Sequence, residues 1–225
     1  MAGRIKSGWF PLVRERISEN EASSLLNWIG TAPQQRTKAG IRHALEIEAV
    51  NELAHDPRMM AIARSVLGPN AVPFRATFFD KSPVANWLIV WHQDTALPLQ
   101  KKCESPGWGP WSIKQGVIYA HAPANALQKV LALRIHLDHS TSENGPLGVL
   151  PGTHEMGILS DDSLQEAANR IPATDCLVQK GGVLAMRPLS VHSSSKSQTS
   201  AARRVLHIEY ASSIEIAEGM QLAIA

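Results

Sequence analysis

The spacing of apolar residues along the chain changes character near residue 70. Before that point they recur at helical intervals. After it they come in short runs bounded by Gly, Pro and polar residues, which is how strands read. Ser18-Glu19-Asn20-Glu21 has the form of a capping box ahead of a periodic stretch, 22–29, that Gly30 closes. Residues 46–54 carry apolar positions at helical spacing. Asp56-Pro57 predicts another helix start, with Asp as N-cap and Pro in the first turn, and a stop at Gly68-Pro69. Strands are predicted over 72–79, 87–92, 116–120, 130–137, 147–150, 176–178, 183–186, 191–193 and 204–211. A short helix is predicted at 161–169, capped by Asp161 or Asp162. Many short strands after a helical start predict a mostly β fold with N-terminal helices, a double-stranded β-helix of jelly-roll, cupin-like form.

The pattern shows no repeat, linker or low-complexity tract, and 225 residues suit one domain with a sizeable core. The division expected is one domain over 1–225, with helical support in 1–70 and the jelly-roll core in 71–225. The Ser-rich stretch 193–200 falls between two strands of that core and reads as a loop. Segment 95–115 has no clean period and holds Pro98, Pro106, Pro110, Trp108 and Trp111, so it is expected to be a long functional loop. Its two Trp either pack back on the barrel, the preferred reading, or line a substrate entrance.

The candidate chemistry starts where the apolar run 87–91 meets His92-Gln93-Asp94. Residues two apart on a strand face the same side, so His92 and Asp94 can reach one metal ion while Gln93 turns away. Alone, such a pair is more often a hydrogen-bonded surface feature. A third residue changes the reading. From Gly181-Gly182 the chain runs through Val183-Leu184-Ala185-Met186, a break at Arg187-Pro188, and a short strand ending in His192. Two imidazoles and one carboxylate form the 2-His-1-carboxylate triad, which holds non-haem Fe(II) on one face and leaves positions for a cosubstrate and O2. Arg203, on the next strand, has a planar fork suited to the far carboxylate of 2-oxoglutarate. A one-residue slip in register would hand that role to Arg204.

In order along the chain, these motifs resemble the phytanoyl-CoA dioxygenase-like Fe(II)/2-oxoglutarate-dependent oxygenases. The resemblance begins at Gly8-Trp9-Phe10-Pro11-Leu12-Val13-Arg14 and the Ile17-to-Glu21 cap. It continues through Trp91-His92-Gln93-Asp94 and Arg134-Ile135-His136-Leu137-Asp138. Asn144-Gly145-Pro146-Leu147, Val149-Leu150-Pro151-Gly152-Thr153-His154, Arg187-Pro188-Leu189-Ser190-Val191-His192 and the Arg203 strand complete it. It implies His92, Asp94 and His192 as iron ligands and Arg203 as the 2-oxoglutarate anchor, supported by the Ser194 hydroxyl. Asn86 is implied as a further 2-oxoglutarate contact. The implied cofactors are Fe(II), 2-oxoglutarate and O2, with succinate and CO2 released. Related halogenases replace the carboxylate ligand by a small residue, so the retained Asp94 implies hydroxylation or another oxidation.

Arg134 departs from the family pattern, where an aromatic often stands. Inside a strand its charge needs an anionic partner: Asp138, Glu209 or a substrate acid. The extra histidines His136, His139, His154 and His207 lie near the core pattern; His154, in a turn, reads as structural. Lys81 reads as a turn residue, with a substrate role open.

Lys and Arg number 22 against 20 Asp and Glu, a net +2 too balanced to indicate nucleic acid or an anionic membrane. The partner expected is a small-molecule substrate, with the oligomeric state open. Cys103 and Cys176 are too few for a disulfide framework. Residues 1–7 lack a signal peptide's apolar stretch and no run approaches a membrane span, so a cytoplasmic location is expected. Two rivals remain at this point: a cupin-like hydrolase or isomerase using Zn or Mn, and a non-catalytic jelly-roll binding module. Neither needs Arg203.

Overall fold

The computed structural model describes residues 12–13 and 16–225. Of residues 8–14, where the resemblance begins, Leu12–Val13 form a strand that pairs with Val183 and Leu184; the remainder lies outside the described residues, as does the 1–7 segment. Three helices follow, Glu19–Thr31, Glu48–His55 and Pro57–Leu67. The first has its capping box, with Glu21 N–H donating to Ser18 Oγ and Ser18 N–H to Glu21 Oε2. It runs one residue past Gly30, the expected stop. Asp56 caps the third by accepting from Arg58 N–H, and Gly68 ends it at φ +93°.

The main sheet is antiparallel, in the order Leu12–Val13, Val183–Met186, Val130–His136, Arg203–Ala211, Val72–Lys81, Gly40–Ile41, Arg36–Thr37. Strand alternation divides its faces. Leu206, Ile208 and Tyr210, with Ala76, Phe78, Leu133 and Ile135, join the helices in the largest core cluster. Tyr210 Oη donates to the Ala54 carbonyl at 2.9 Å, tying the central strand to a helix. The opposite face carries Arg203, Val205, His207 and Glu209; Lys81, Thr77 and Arg75 stand opposite Arg203, His207 and Glu209 on one side, and His136 and Arg134 opposite Val205 and His207 on the other.

Part of that inner face is apolar. Ala132, Leu184 and Met186 meet Leu147 and Val149 of the second sheet, ordered Thr174–Cys176, Leu147–Val149, His192–Ser194, Ile89–His92. The remainder is polar and surrounds the site.

Segment 95–115 is not one loop. Its ends form Ala96–Leu99 and Trp111–Lys114, which flank Val117–His121 in a third sheet. Trp108 and Trp111 pack against a core of Leu97, Leu99 and Leu127, so the packing reading holds. The helix Asp161–Arg170 is capped by Ser160 rather than Asp161 or Asp162. The short strands Arg36–Thr37 and Gly40–Ile41 and the hairpin Glu215–Ala217/Met220–Gln221 had no sequence signal, being two or three residues long. Among the described residues no helix is long and apolar enough to cross a membrane. Both cysteines are free.

Gly181 shows how tightly the helical side docks on the sheet. It sits at φ +82°, and a Cβ there would lie 2.1 Å from the Ile17 carbonyl oxygen. Its own carbonyl accepts from the N–H groups of Arg16 and Ile17. Gly181→Ala is expected to destabilise the protein by about 2 kcal/mol or more, combining left-handed strain with a backbone collision. Denaturant unfolding checks this; an unchanged midpoint would contradict the close docking.

Candidate active site

His92 and His192 stand directly opposite each other on paired strands, with ring centroids 4.2 Å apart. Asp94 follows the first strand, and its N–H donates to the Pro188 carbonyl at 2.9 Å. This bond pins the carboxylate beside both rings: Asp94 Oδ1 lies 3.8 Å from His92 Nε2, and Oδ2 lies 3.6 Å from His192 Nε2. One candidate ligand atom from each of the three residues lies within 4.8 Å of the others. Gln93 faces away, bonded to Gly157, Leu189 and Leu159 backbone groups.

Each imidazole is held by its far nitrogen. His92 Nδ1 lies 2.9 Å from the Val90 carbonyl and His192 Nδ1 lies 2.8 Å from that of Ser190. A carbonyl only accepts, so each Nδ1 carries the proton and each Nε2 presents a lone pair towards Asp94. Burial pushes His192 down to about 4, against the pull of Asp94, so its ring is neutral near pH 7. Burial acts to raise Asp94, but the neighbouring histidines and Arg75 outweigh it and hold the carboxyl at about 2. Two imidazoles and one carboxylate, converging from one side, fit a divalent transition metal with its opposite side open.

The triad borders a cavity of about 270 Å³. Arg203 lies on its wall, 3% exposed; its Nη2 donates to Ser194 Oγ at 3.2 Å, while Nε and Nη1 are buried with no partner. Ser194 Oγ donates to the Gly145 carbonyl and also accepts from Lys81 Nζ at 2.7 Å. Lys81, read from sequence as a turn residue, is the last residue of its strand, directly opposite Arg203 and 1% exposed. Burial, followed by the charges of Arg203 and Arg134, pushes Lys81 down to about 8. Burial and Arg134 push Arg203 down to about 9. A cluster of buried cations without a carboxylate fits a dicarboxylate ligand.

The register settles which arginine faces the cavity. Arg204 turns the other way, and its Nε and Nη2 donate to the two Asp138 carboxylate oxygens at 2.7 and 2.9 Å. Arg134 is 6% exposed and has neither expected partner, because Asp138 is taken by Arg204 and Glu209 by Arg75. Instead its Nη1 lies 3.1 Å from His207 Nδ1, its guanidinium stands 5.4 Å from the Phe79 ring centroid, and its Nε is unpartnered. Asn86 is not brought to the cavity. Its amide is used in bonding both the N–H and the carbonyl of Ser197, which closes a loop.

Sequence reading missed the opposite wall. Arg75 is fixed by Glu209 and by the Ala96 carbonyl, and Tyr119 Oη lies 3.1 Å from His43 Nε2. These side chains come from three separate strands and the bend at His43, so no local motif announces them. Gly40 closes this side at φ +134°, where a Cβ would strike the Phe78 carbonyl oxygen at 1.9 Å.

Burial keeps His136 and His207 neutral as well, well below the usual range. A histidine depressed in the folded state binds its proton first in the unfolded one. Stability is therefore present above about pH 6.5 and lost as pH falls towards the folded value. His192 alone accounts for about 3 kcal/mol between pH 6.5 and 4. Denaturant unfolding of the metal-free protein is expected to weaken steadily over that window, and His192→Gln to flatten the slope. A flat profile in the parent would contradict the buried neutral rings.

Comparison with known proteins agrees with this geometry. L-proline trans-4-hydroxylase of Streptomyces griseoviridis is 25% identical over 243 residues, spanning 91% of this chain and 82% of the relative. EctD from S. alaskensis, crystallised with bound Fe, superposes with a TM-score of 0.69 at 19% identity, covering 96% of this chain and 75% of its own. HygX from Streptomyces hygroscopicus, crystallised with nickel and 2-oxoglutarate, gives 0.65 at 16% identity, covering 91% and 83%. The sequence profile of the phytanoyl-CoA dioxygenase (PhyH) family matches residues 15–205, and the chain belongs to that family.

Proposed function

We propose that this chain is an Fe(II)- and 2-oxoglutarate-dependent dioxygenase that hydroxylates a small molecule. The observation that carries the reading is one cavity shared by the His92–Asp94–His192 cluster and the half-unpartnered guanidinium of Arg203. A Zn or Mn hydrolase would use the cluster, and a binding module would keep it for stability. Neither accounts for a desolvated Arg beside it, which costs stability unless an anion binds there. A relative named for hydroxylating L-proline and a neighbour crystallised with nickel and 2-oxoglutarate support the same chemistry.

The roles follow from the contacts. His92 Nε2, His192 Nε2 and the Asp94 carboxylate would hold Fe(II) from one side. Arg203, with the Ser194 hydroxyl and Lys81 behind it, would hold the C5 carboxylate of 2-oxoglutarate. Bound Fe(II), 2-oxoglutarate and O2 supply the oxidising power for hydroxylating a C–H bond, with succinate and CO2 as co-products. The backbone-held imidazoles keep their lone pairs aimed at one point. Arg134, lacking an acidic partner among the described residues, is assigned to an acid group of the substrate. A cavity of about 270 Å³ suits a substrate of metabolite size.

The two main sheets are read as a double-stranded β-helix, a cupin-like jelly roll. The whole chain is taken as one domain, with helical support in 1–70 and the core in 71–225. Two free cysteines fit a reducing compartment, the cytoplasm in this reading.

Asp94→Ala is expected to abolish Fe(II)-dependent conversion of 2-oxoglutarate to succinate with the circular dichroism unchanged. Full turnover in that variant would sink the metal assignment. Arg203→Ala is expected to raise the 2-oxoglutarate concentration needed for half-saturation by about 10²-fold, since a buried charge-assisted contact is lost. Arg204→Ala, which loses only a partly exposed pair with Asp138, should leave it unchanged. Steady-state titration decides between the two arginines.

A further inference from the structure

The cavity has a second cationic side. Lys114, on the third sheet, and Arg42, just after the Gly40–Ile41 strand, line it with Tyr119 and the triad. Neither Lys114 nor Arg42 has an acidic partner among the described residues; Lys114 Nζ instead lies 4.9 Å from the Tyr119 ring centroid. Burial, then the charges of Arg42 and Arg75, push Lys114 below its usual range, while Asp94 pulls the other way. Lys114 therefore stands among like charges, within electrostatic reach of the metal-binding carboxylate.

A charge inventory shows what is left over. The lining holds five cationic side chains, Arg42, Arg75, Lys114, Arg134 and Arg203, against two carboxylates, Asp94 and Glu209. Glu209 neutralises Arg75. Fe(II) and the 2-oxoglutarate dianion cancel one another, which leaves Asp94 as the one carboxylate against Arg42, Lys114, Arg134 and Arg203. Asp94 acts on both Arg134 and Lys114 and cannot neutralise the two together, so positive charge is left over on the main sheet and on the Lys114–Arg42 side. Arg42 is exposed and Lys114 half-buried, and like charges gathered around one cavity favour an anionic occupant.

We propose that the prime substrate is a small molecule with two acidic groups, carboxylate or phosphate, one held by Arg134 and the other by Lys114 with Arg42. The bond to be hydroxylated lies between them, across the triad. This rests on the dioxygenase reading and names its substrate class. Lys114 and Arg42 act in binding and contribute nothing to the oxidation itself.

The test uses the Fe(II) enzyme at saturating 2-oxoglutarate. It is offered a panel of small dicarboxylates and acid phosphates, each beside its half-amide or alcohol counterpart, with succinate formation as the readout. The expected result is stimulation by doubly acidic members and not by their neutralised counterparts. The Lys114→Gln/Arg42→Gln double variant should raise the half-saturating concentration of an active probe by about tenfold or more, and the effect should shrink with added salt. Preference for neutral or cationic members would overturn the proposal.

If no panel member is turned over, calorimetry of the Zn(II)- and 2-oxoglutarate-loaded protein with inorganic phosphate decides. Binding that disappears in the double variant supports the anion site. No binding in the parent, or equal binding in both, overturns it. Failure of 2-oxoglutarate itself to bind the Zn(II)-loaded protein would instead defeat the underlying dioxygenase reading.

Discussion

Strand alternation on the main sheet forces charged side chains into the interior, and the rest of the molecule answers to that constraint. Each residue that turns Leu206, Ile208 or Tyr210 towards the helices turns a neighbour, Arg203, His207 or Glu209, towards the second sheet. The helical side supplies the apolar burial that pins the register. The other side inherits guanidinium, ammonium and imidazole groups that an apolar layer could not cover. Glu209 meets Arg75, the neutral His207 ring meets Arg134, and the remaining cations face a cavity. The second sheet delivers the metal ligands to the opposite wall, because pairing His92 with His192 brings two rings and Asp94 together.

The histidines and arginines thereby fall into distinct roles that a composition count could not separate. His92 and His192 have their outer nitrogens tied to carbonyls, leaving the inner ones free to ligate. His136 has neither nitrogen tied and is buried and neutral. Arg75 and Arg204 are structural cations, each matched by a carboxylate, whereas Arg203 and Arg134 are matched by none among the described residues. Burial without a partner is the reason the second pair is proposed to meet ligands.

Much of this was legible in the sequence wherever a local rule governed the outcome. The capping box at Ser18, the Asp56-Pro57 start and the period-two pattern of the central strand appear as read. The convergence of His92, Asp94 and His192 and the inward facing of Arg203 rather than Arg204 were legible too, since alternation along one strand decides which residue faces inward. Readings failed where a distant partner ruled. Asn86 was drawn away by the backbone of Ser197, more than a hundred positions on. Lys81 gained its place through register with Arg203, and segment 95–115 became strands by pairing with residues 117–121. The Lys114 and Arg42 wall is assembled across sheets, and no periodicity within either segment reports it.

The central claim is that Arg203 is kept buried and half-unpartnered for an anionic cosubstrate, at a cost to the ligand-free fold. Thermal unfolding of the metal-free Arg203→Met variant tests it most directly, because Met fills similar space without charge. The account predicts a midpoint a few degrees above that of the parent, since removing an uncompensated buried charge relieves desolvation. Together with that rise, the stabilisation that added 2-oxoglutarate gives the Zn(II)-loaded parent should vanish. A variant several degrees less stable than the parent, with the 2-oxoglutarate effect intact, would show that Arg203 holds the fold together and would contradict the account.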